Sequence, residues 1–224
     1  MDWTISIARH GTEAEPVVII DNFAPDPDGL VEDAGCLAFA PVGAHYPGIR
    51  AAVPPVLLRA LLAKLAQVAT EVFGSGPLDV IDAHYSLVTT PPAALTPIQR
   101  MPHFDGVEPG RLALLHYLSR DERSGTAFYR HRSTGYETID ATRLTAYRAA
   151  LADDLARAGM PAAGYIGGDT DLFTQLAVHR GVYNRAILYR GHTLHSAQLP
   201  DDLTCSADPA KGRLTINTFL AERG

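Results

Sequence analysis

Extended runs of β-branched and large apolar residues, each closed by Pro, Gly or Asp, recur on both sides of one helical insertion, and this limits the chain to a sheet-based fold. Pro16 to Phe23 (PVVIIDNF) is the first, a buried strand running into a Pro/Asp/Gly turn. Leu78 to Thr90, Arg111 to Leu118, Gly125 to Arg130, Leu172 to Val178, Arg185 to Tyr189 and Arg213 to Leu220 read the same way, with a proline-rich loop from Pro91 to Pro97. Asp140 to Gly159 interrupts them with helix formers, an apolar stripe (Leu144, Tyr147, Leu151, Leu155) and a terminal glycine. Ahead of the strands, Leu57, Leu58, Leu61, Leu62, Leu65, Val68 and Val72 recur at helical spacing, which predicts a helix over Pro54 to Phe73 stopped by Gly74. A short helix is expected within Asp26 to Ala38. No glycine-rich strand-to-helix turn is present, so a doubly wound fold is disfavoured. The expected class is mainly β with flanking helices, a double-sheet core as in a jelly roll.

The chain has 224 residues, close to half of them hydrophobic, which is enough to bury one core, and residues 1–224 are read as a single domain. A formal net charge of -6, with 19 basic and 25 acidic residues and no long runs, argues against a nucleic-acid partner and for a small or neutral one. The apolar stretch around Val53 to Ala69 contains Arg59, Lys64 and Gln67, so it is amphipathic and not a membrane span. Met1 to Arg9 has no apolar run of the secretory kind, and two cysteines, Cys36 and Cys205, are too few for a disulfide framework. A cytoplasmic location is the default expectation. The oligomeric state is open, a homodimer included.

His103-Phe104-Asp105 is the first chemical feature. In an extended chain residues i and i+2 point the same way, so an imidazole and a carboxylate converge on one point and suit a metal. Non-haem iron oxygenases use two histidines and one carboxylate on one face of the ion, leaving the other face open. On its own, His-x-Asp is equally well explained by a surface loop. The downstream order adds weight: the strand ending at Tyr189, then Gly191-His192-Thr193-Leu194-His195-Ser196, then a loop, then Gly212-Arg213-Leu214-Thr215.

This order, His-x-Asp, a distal His, then Arg-x-Thr on a late strand, resembles the Fe(II)/2-oxoglutarate-dependent dioxygenase superfamily. Leu115-His116-Tyr117-Leu118 followed by Ser124-Gly125-Thr126-Ala127-Phe128 is similar to its prolyl-hydroxylase-like members, as is the opening Val18 to Phe23. More narrowly, His103-Phe104-Asp105-Gly106, Thr126 to Arg132 and Tyr46-Pro47-Gly48-Ile49-Arg50 resemble a bacterial family of uncharacterised proteins within that superfamily. The resemblance implies a double-stranded β-helix core, Fe(II) and 2-oxoglutarate as cofactors, His103, Asp105 and His195 as metal ligands, and Arg213 as the partner of the far carboxylate of 2-oxoglutarate. Thr215 takes the Ser/Thr place beside that arginine. Physical reasons agree: a guanidinium pairs with a carboxylate through two hydrogen bonds, and Thr215 shares its strand face.

His192 competes with His195 for the distal place. The His-Ser-Ala context favours His195, and His192 is expected in a turn. His116, on a strand face with leucines, is expected to be a core histidine, and His84, His131 and His179 lack a partner at ligand spacing. Tyr85 is expected to touch the co-substrate, and Tyr129, Arg130, Tyr46 and Arg50 the substrate. Ordinary packing or solvated faces are the alternative for each. The interval from His195 to Arg213, with Pro200-Asp201-Asp202 and Ala207-Asp208-Pro209, is long and reads as an exposed loop, either a lid or an insertion. Asp105 occupies the carboxylate place that halogenases of the superfamily leave vacant, which favours hydroxylation or a related oxidation. The expected activity is therefore oxidation of an unidentified small-molecule, amino-acid-like or peptidyl substrate. A zinc-dependent hydrolase with the same ligands, and a jelly-roll protein that binds metal or a small molecule without turnover, are the rivals.

Overall fold

Why the strands fall into two sheets follows from which residues alternate inward. In the computed structural model, which describes residues 2–223, ten strands and three α-helices are present among the described residues. The side chains of Pro55, Leu58, Arg59, Ala60 and Leu61 are not described, so the places expected for Leu58 and Leu61 in the apolar stripe lie outside the described residues.

The larger sheet has seven strands in the order β1 (Thr4–Arg9), β2 (Pro16–Asp21), β8 (Ala186–Arg190), β5 (Leu112–Tyr117), β10 (Leu214–Glu222), β4 (Leu78–Val88) and β3 (Gly48–Ala52). The smaller has β7 (Phe173–Arg180), β6 (Gly125–His131) and β9 (His195–Gln198). All pairings are antiparallel, and late strands insert between early ones, β8 between β2 and β5 and β10 between β5 and β4. This is the jelly-roll arrangement expected from the sequence.

Alternation along each strand gives the large sheet two buried faces. One meets the small sheet through Val17, Ile19, Ala113, Leu115, Tyr117, Ile187 and Tyr189 against Phe128. The other is covered by α1 (Pro27–Gly35) and α2 (Pro55–Phe73): Leu65, Val68, Ala69 and Phe73 pack on Val18, Ile20, Leu112, Leu114, Leu188 and Leu220. The helix α3 (Leu144–Ala158) covers the outer face of the small sheet through Tyr147, Leu151 and Leu155. Gly74 ends α2 at φ 68°, a left-handed conformation that costs a side-chain-bearing residue more than glycine, with the N–H groups of Gly74 and Ser75 turned back to Thr70 and Ala69. The third helix starts at Leu144 rather than Asp140, because the Asp140 carboxylate accepts from the Thr142 and Arg143 N–H groups and holds residues 140–143 as a turn.

Three short strands, β1, β3 and β9, carry too little apolar alternation to be read from the sequence. The first is an edge strand with Ile5 and Ile7 exposed. The loop joining it to β2 is clipped to the small sheet: Glu137, only 3% exposed, accepts from the N–H groups of Thr12 and Glu13 at 2.9 Å each and pairs with Arg130, while Glu13 pairs with Arg143. No helix among the described residues is long and apolar enough to cross a membrane.

Candidate metal and anion site

Two chain segments meet at the open end between the sheets. The backbones of His103 and His195 form an isolated antiparallel bridge, each N–H donating to the other's carbonyl at 2.8 Å, which brings their rings to 4.3 Å between centroids. Asp105 follows two residues on, its N–H held by the Gly191 carbonyl at 2.7 Å and its own carbonyl by Arg111 Nη1 at 2.8 Å. Asp105 Oδ1 lies 3.6 Å from His103 Nε2 and Oδ2 lies 3.5 Å from His195 Nε2; one donor atom from each residue falls within 4.8 Å of the others. A single ion about 2.1 Å from each donor spans separations close to these.

Four observations show that this cluster fits a cation. The Asp105 Oδ2 atom is buried and accepts no hydrogen bond, an uncommon state for a carboxylate oxygen. The His195 Nδ1–H donates to the Thr193 carbonyl at 2.9 Å, which leaves the Nε2 lone pair facing Asp105. Burial pushes the His195 imidazole down to about 4, so it is neutral at pH 7 as a ligand must be. Burial also raises the Asp105 carboxyl, against the pull of His103, Arg111 and Arg50; a bound cation opposes that rise. The His195 and Asp105 side chains are nearly enclosed, whereas His103 is 53% exposed and marks the open side.

His192 does not share this geometry. Its Nε2 lies 3.8 Å from Glu15, beside Arg190, while Leu194 points into the α3 layer.

Arg213, 4% exposed, enters the same space from the start of β10. Among the described residues no carboxylate pairs with it: Nη2 donates to the Gly125 carbonyl at 3.2 Å and the buried Nε has no partner. Thr215 lies two residues on, in register with Ser86 on β4 and Tyr117 on β5. Its hydroxyl donates to Asn217 Oδ1 at 2.8 Å. Turning the Asn217 amide over lets the amide donate instead and frees the Thr215 proton for an anion.

Tyr46 and Arg50 fall in this cavity as well. Arg50 pairs with Ser86 across β3 and β4, and its guanidinium carbon sits 4.1 Å from the centre of the Tyr46 ring. Burial raises the Tyr46 phenol against the opposing charges of Arg213 and Arg50. The loop between His195 and Arg213 docks beside them, with the Cys205 thiol 3.5 Å from the Thr90 carbonyl, to which the Tyr165 hydroxyl also donates at 2.7 Å.

Three expectations are corrected. Tyr85 points to the opposite face of β4, among Ala34, Val53, Leu214 and Ile216 under α1, because it is out of phase with inward Ser86. Tyr129 follows an irregularity in the β6 register after Phe128 and packs with Ile139, Tyr147 and Phe173 toward α3. Arg130 is engaged by Glu137 in the N-terminal clip. His131 and His179 also have partners that sequence did not show, Asp154 at 3.1 Å and His10 at 2.9 Å. His116 is the core residue expected, its Nε2 3.0 Å from Asn184 Oδ1. Sequence reasoning missed Tyr189, whose buried ring meets His195 edge-on at 4.9 Å; its alternation with Ile187 on β8 was the available signal.

Residues 1–220 match the model of a family described as a family of unknown function (DUF6445). No curated protein sequence matches the chain. Among solved structures, HygX from Streptomyces hygroscopicus with nickel and 2-oxoglutarate bound is similar at 12% identity and a TM-score of 0.54, over 94% of this chain and 84% of that one. The non-heme alpha-ketoglutarate-dependent epimerase SnoN from nogalamycin biosynthesis is similar at 14% identity and 0.52, over 93% and 78%. A Pseudomonas putida prolyl-4-hydroxylase is similar at 12% identity and 0.51, over 95% of each chain. At such identities the likeness is one of fold.

Proposed function

Since the chain belongs to the family of unknown function DUF6445, its activity has to be read from its own site, and we propose that it is a non-haem Fe(II)- and 2-oxoglutarate-dependent dioxygenase. The observation that carries this is the occurrence, both near Tyr189, of an unpartnered buried carboxylate oxygen between two imidazoles and a buried arginine with no carboxylate of its own among the described residues. The similar fold of HygX, which has been seen with nickel and 2-oxoglutarate bound and with iron bound, supports it.

His103, Asp105 and His195 hold the metal on one side, and exposed His103 faces the opening through which reactants arrive. When bound, iron and 2-oxoglutarate together supply the oxygen chemistry that no side chain provides. The chain's own work is positioning. Arg213 takes the far carboxylate through two N–H groups, Thr215 adds a hydroxyl, and the Tyr189 ring seals His195 from water. Both sheets contribute to this one site, which supports reading the chain as one domain. The substrate is a small-molecule or amino-acid-like compound. A zinc hydrolase has the same use for the triad but none for Arg213.

Anaerobic titration of the metal-free protein with Fe(II), then 2-oxoglutarate, tests the reading. A weak visible charge-transfer band is expected in wild type, lost in Asp105→Ala and weakened in Arg213→Ala. Bound iron with no band in wild type refutes it.

A further inference from the structure

The cavity holds more positive charge than 2-oxoglutarate can neutralise. A divalent metal, the Asp105 carboxylate and Arg213 together leave a charge that the dianionic co-substrate cancels. Arg50 is then left over. Its Nε is buried without a partner, and among the described residues no carboxylate pairs with it. The two nearby candidates are both occupied: Asp82 is half-exposed and turned to His84 Nδ1 at 3.2 Å, and Asp105 is turned to the two histidines. The residue is partly exposed, but its Nε is buried without an acceptor, and a ligand that brings an acceptor oxygen completes it.

The position is also a built one. The Arg50 backbone is fixed on one side by β4, where it pairs with Ser86, and on the other by a bridge to Ala40, with N–H to carbonyl distances of 2.8 and 3.0 Å. Ser86 pairs in turn with Thr215, so Arg50, Ser86 and Thr215 form one inward row across three strands. Arg50 stands at the β3 end of that row, with its guanidinium carbon over the Tyr46 ring. A cation–π contact restrains the guanidinium, whose N–H groups can take a planar or tetrahedral anion through two hydrogen bonds.

We propose that Arg50, braced by Tyr46, is a specificity determinant that receives an anionic group, a carboxylate in the first instance, on the primary substrate. The substrate is thus an acid rather than a neutral molecule. This rests on the co-substrate reading of Arg213 given above.

The test uses the full chain loaded with Mn(II) and saturating 2-oxoglutarate without oxygen, titrated calorimetrically with N-acetylglycine, its neutral amide N-acetylglycinamide, and inorganic sulfate. Arg50→Gln, Arg50→Lys and Arg213→Gln are compared with wild type. N-acetylglycine is expected to bind saturably, its amide about tenfold more weakly or worse, and Arg50→Gln to lose that preference while Arg50→Lys retains part of it. The 2-oxoglutarate affinity of Arg50→Gln should stay within about twofold of wild type, against a loss of about tenfold or more in Arg213→Gln. Equal binding of acid and amide to wild type, or a loss of 2-oxoglutarate affinity in Arg50→Gln as large as in Arg213→Gln, overturns the proposal. Wild type that binds Mn(II) but no 2-oxoglutarate overturns the co-substrate reading instead. The acid and amide titrations repeated without 2-oxoglutarate then decide the anion site, which stands if Arg50→Gln abolishes the preference and Arg213→Gln does not.

Discussion

Replacing Arg213 by methionine should make the ligand-free protein more stable while weakening its response to 2-oxoglutarate. Arg213 is 4% exposed, donates one 3.2 Å hydrogen bond to the Gly125 carbonyl, and has a buried Nε with no acceptor. An unsatisfied buried donor costs about 1–3 kcal/mol, and exchanging buried charges for apolar groups of similar volume commonly gains about 1–4 kcal/mol. Methionine follows the arginine stem and gives up only the Gly125 bond, so a gain of about 1–3 kcal/mol is expected. For a chain of this size each kcal/mol moves Tm by roughly 2–4 °C. Wild type at a 2-oxoglutarate concentration of about 100 Kd gains about 2.7 kcal/mol by mass action, and a variant that binds about tenfold more weakly gains about half of that or less at the same concentration. The variant's stability advantage therefore narrows by about 1 kcal/mol or more when ligand is added. Anaerobic thermal or urea denaturation with Mn(II), with and without 2-oxoglutarate, reads both effects. A variant that is less stable than wild type without ligand and still shifts equally with it refutes the view of Arg213 as a cation kept for an absent anion.

Other outcomes follow from the same geometry. His195→Ala should abolish Fe(II) or Mn(II) binding in equilibrium dialysis, whereas His192→Ala should retain it because that ring faces Glu15; equal loss in both sinks the assignment of the distal ligand. Burial holds His116 down to about 4, below the ordinary 6.5, so the unfolded chain takes up the proton first and stability falls as pH drops from about 6.5 toward 4. That group alone accounts for about 3 kcal/mol, and urea midpoints against pH should fall less steeply in His116→Asn; an unchanged slope removes His116 from the account. Glu137→Ala should cost about 2–4 kcal/mol in urea denaturation and speed amide exchange at residues 12 and 13, since it strands Arg130 and two backbone N–H groups; wild-type exchange there disproves the clip.

The parts of this molecule that announce themselves in sequence are those governed by local periodicity. The run Val17 to Ile20, the helix over residues 55–73 and the i, i+2 pair His103 and Asp105 each carry their geometry within a few residues. That His195 rather than His192 groups with His103 and Asp105 was legible from neighbouring residues. Phase was harder. Tyr85 and Ser86 are adjacent, and only pairing with Thr215 decides which of them faces inward. Tyr129 is carried outward by a register irregularity that no composition signals. For Arg50 the sequence offers a substrate contact or a solvated face alike, and only the pairing of β3, a five-residue strand, with β4 sets it in register with Ser86.

The mutual main-chain bridge between His103 and His195 has a mechanical meaning. Two of the three donors sit on a hydrogen-bonded rung joining the segment that precedes β5 to the first residue of β9, so an ion caught there acts as a rivet across the seam where the two sheets meet. Its tightness is then set by how well the backbone keeps that rung closed.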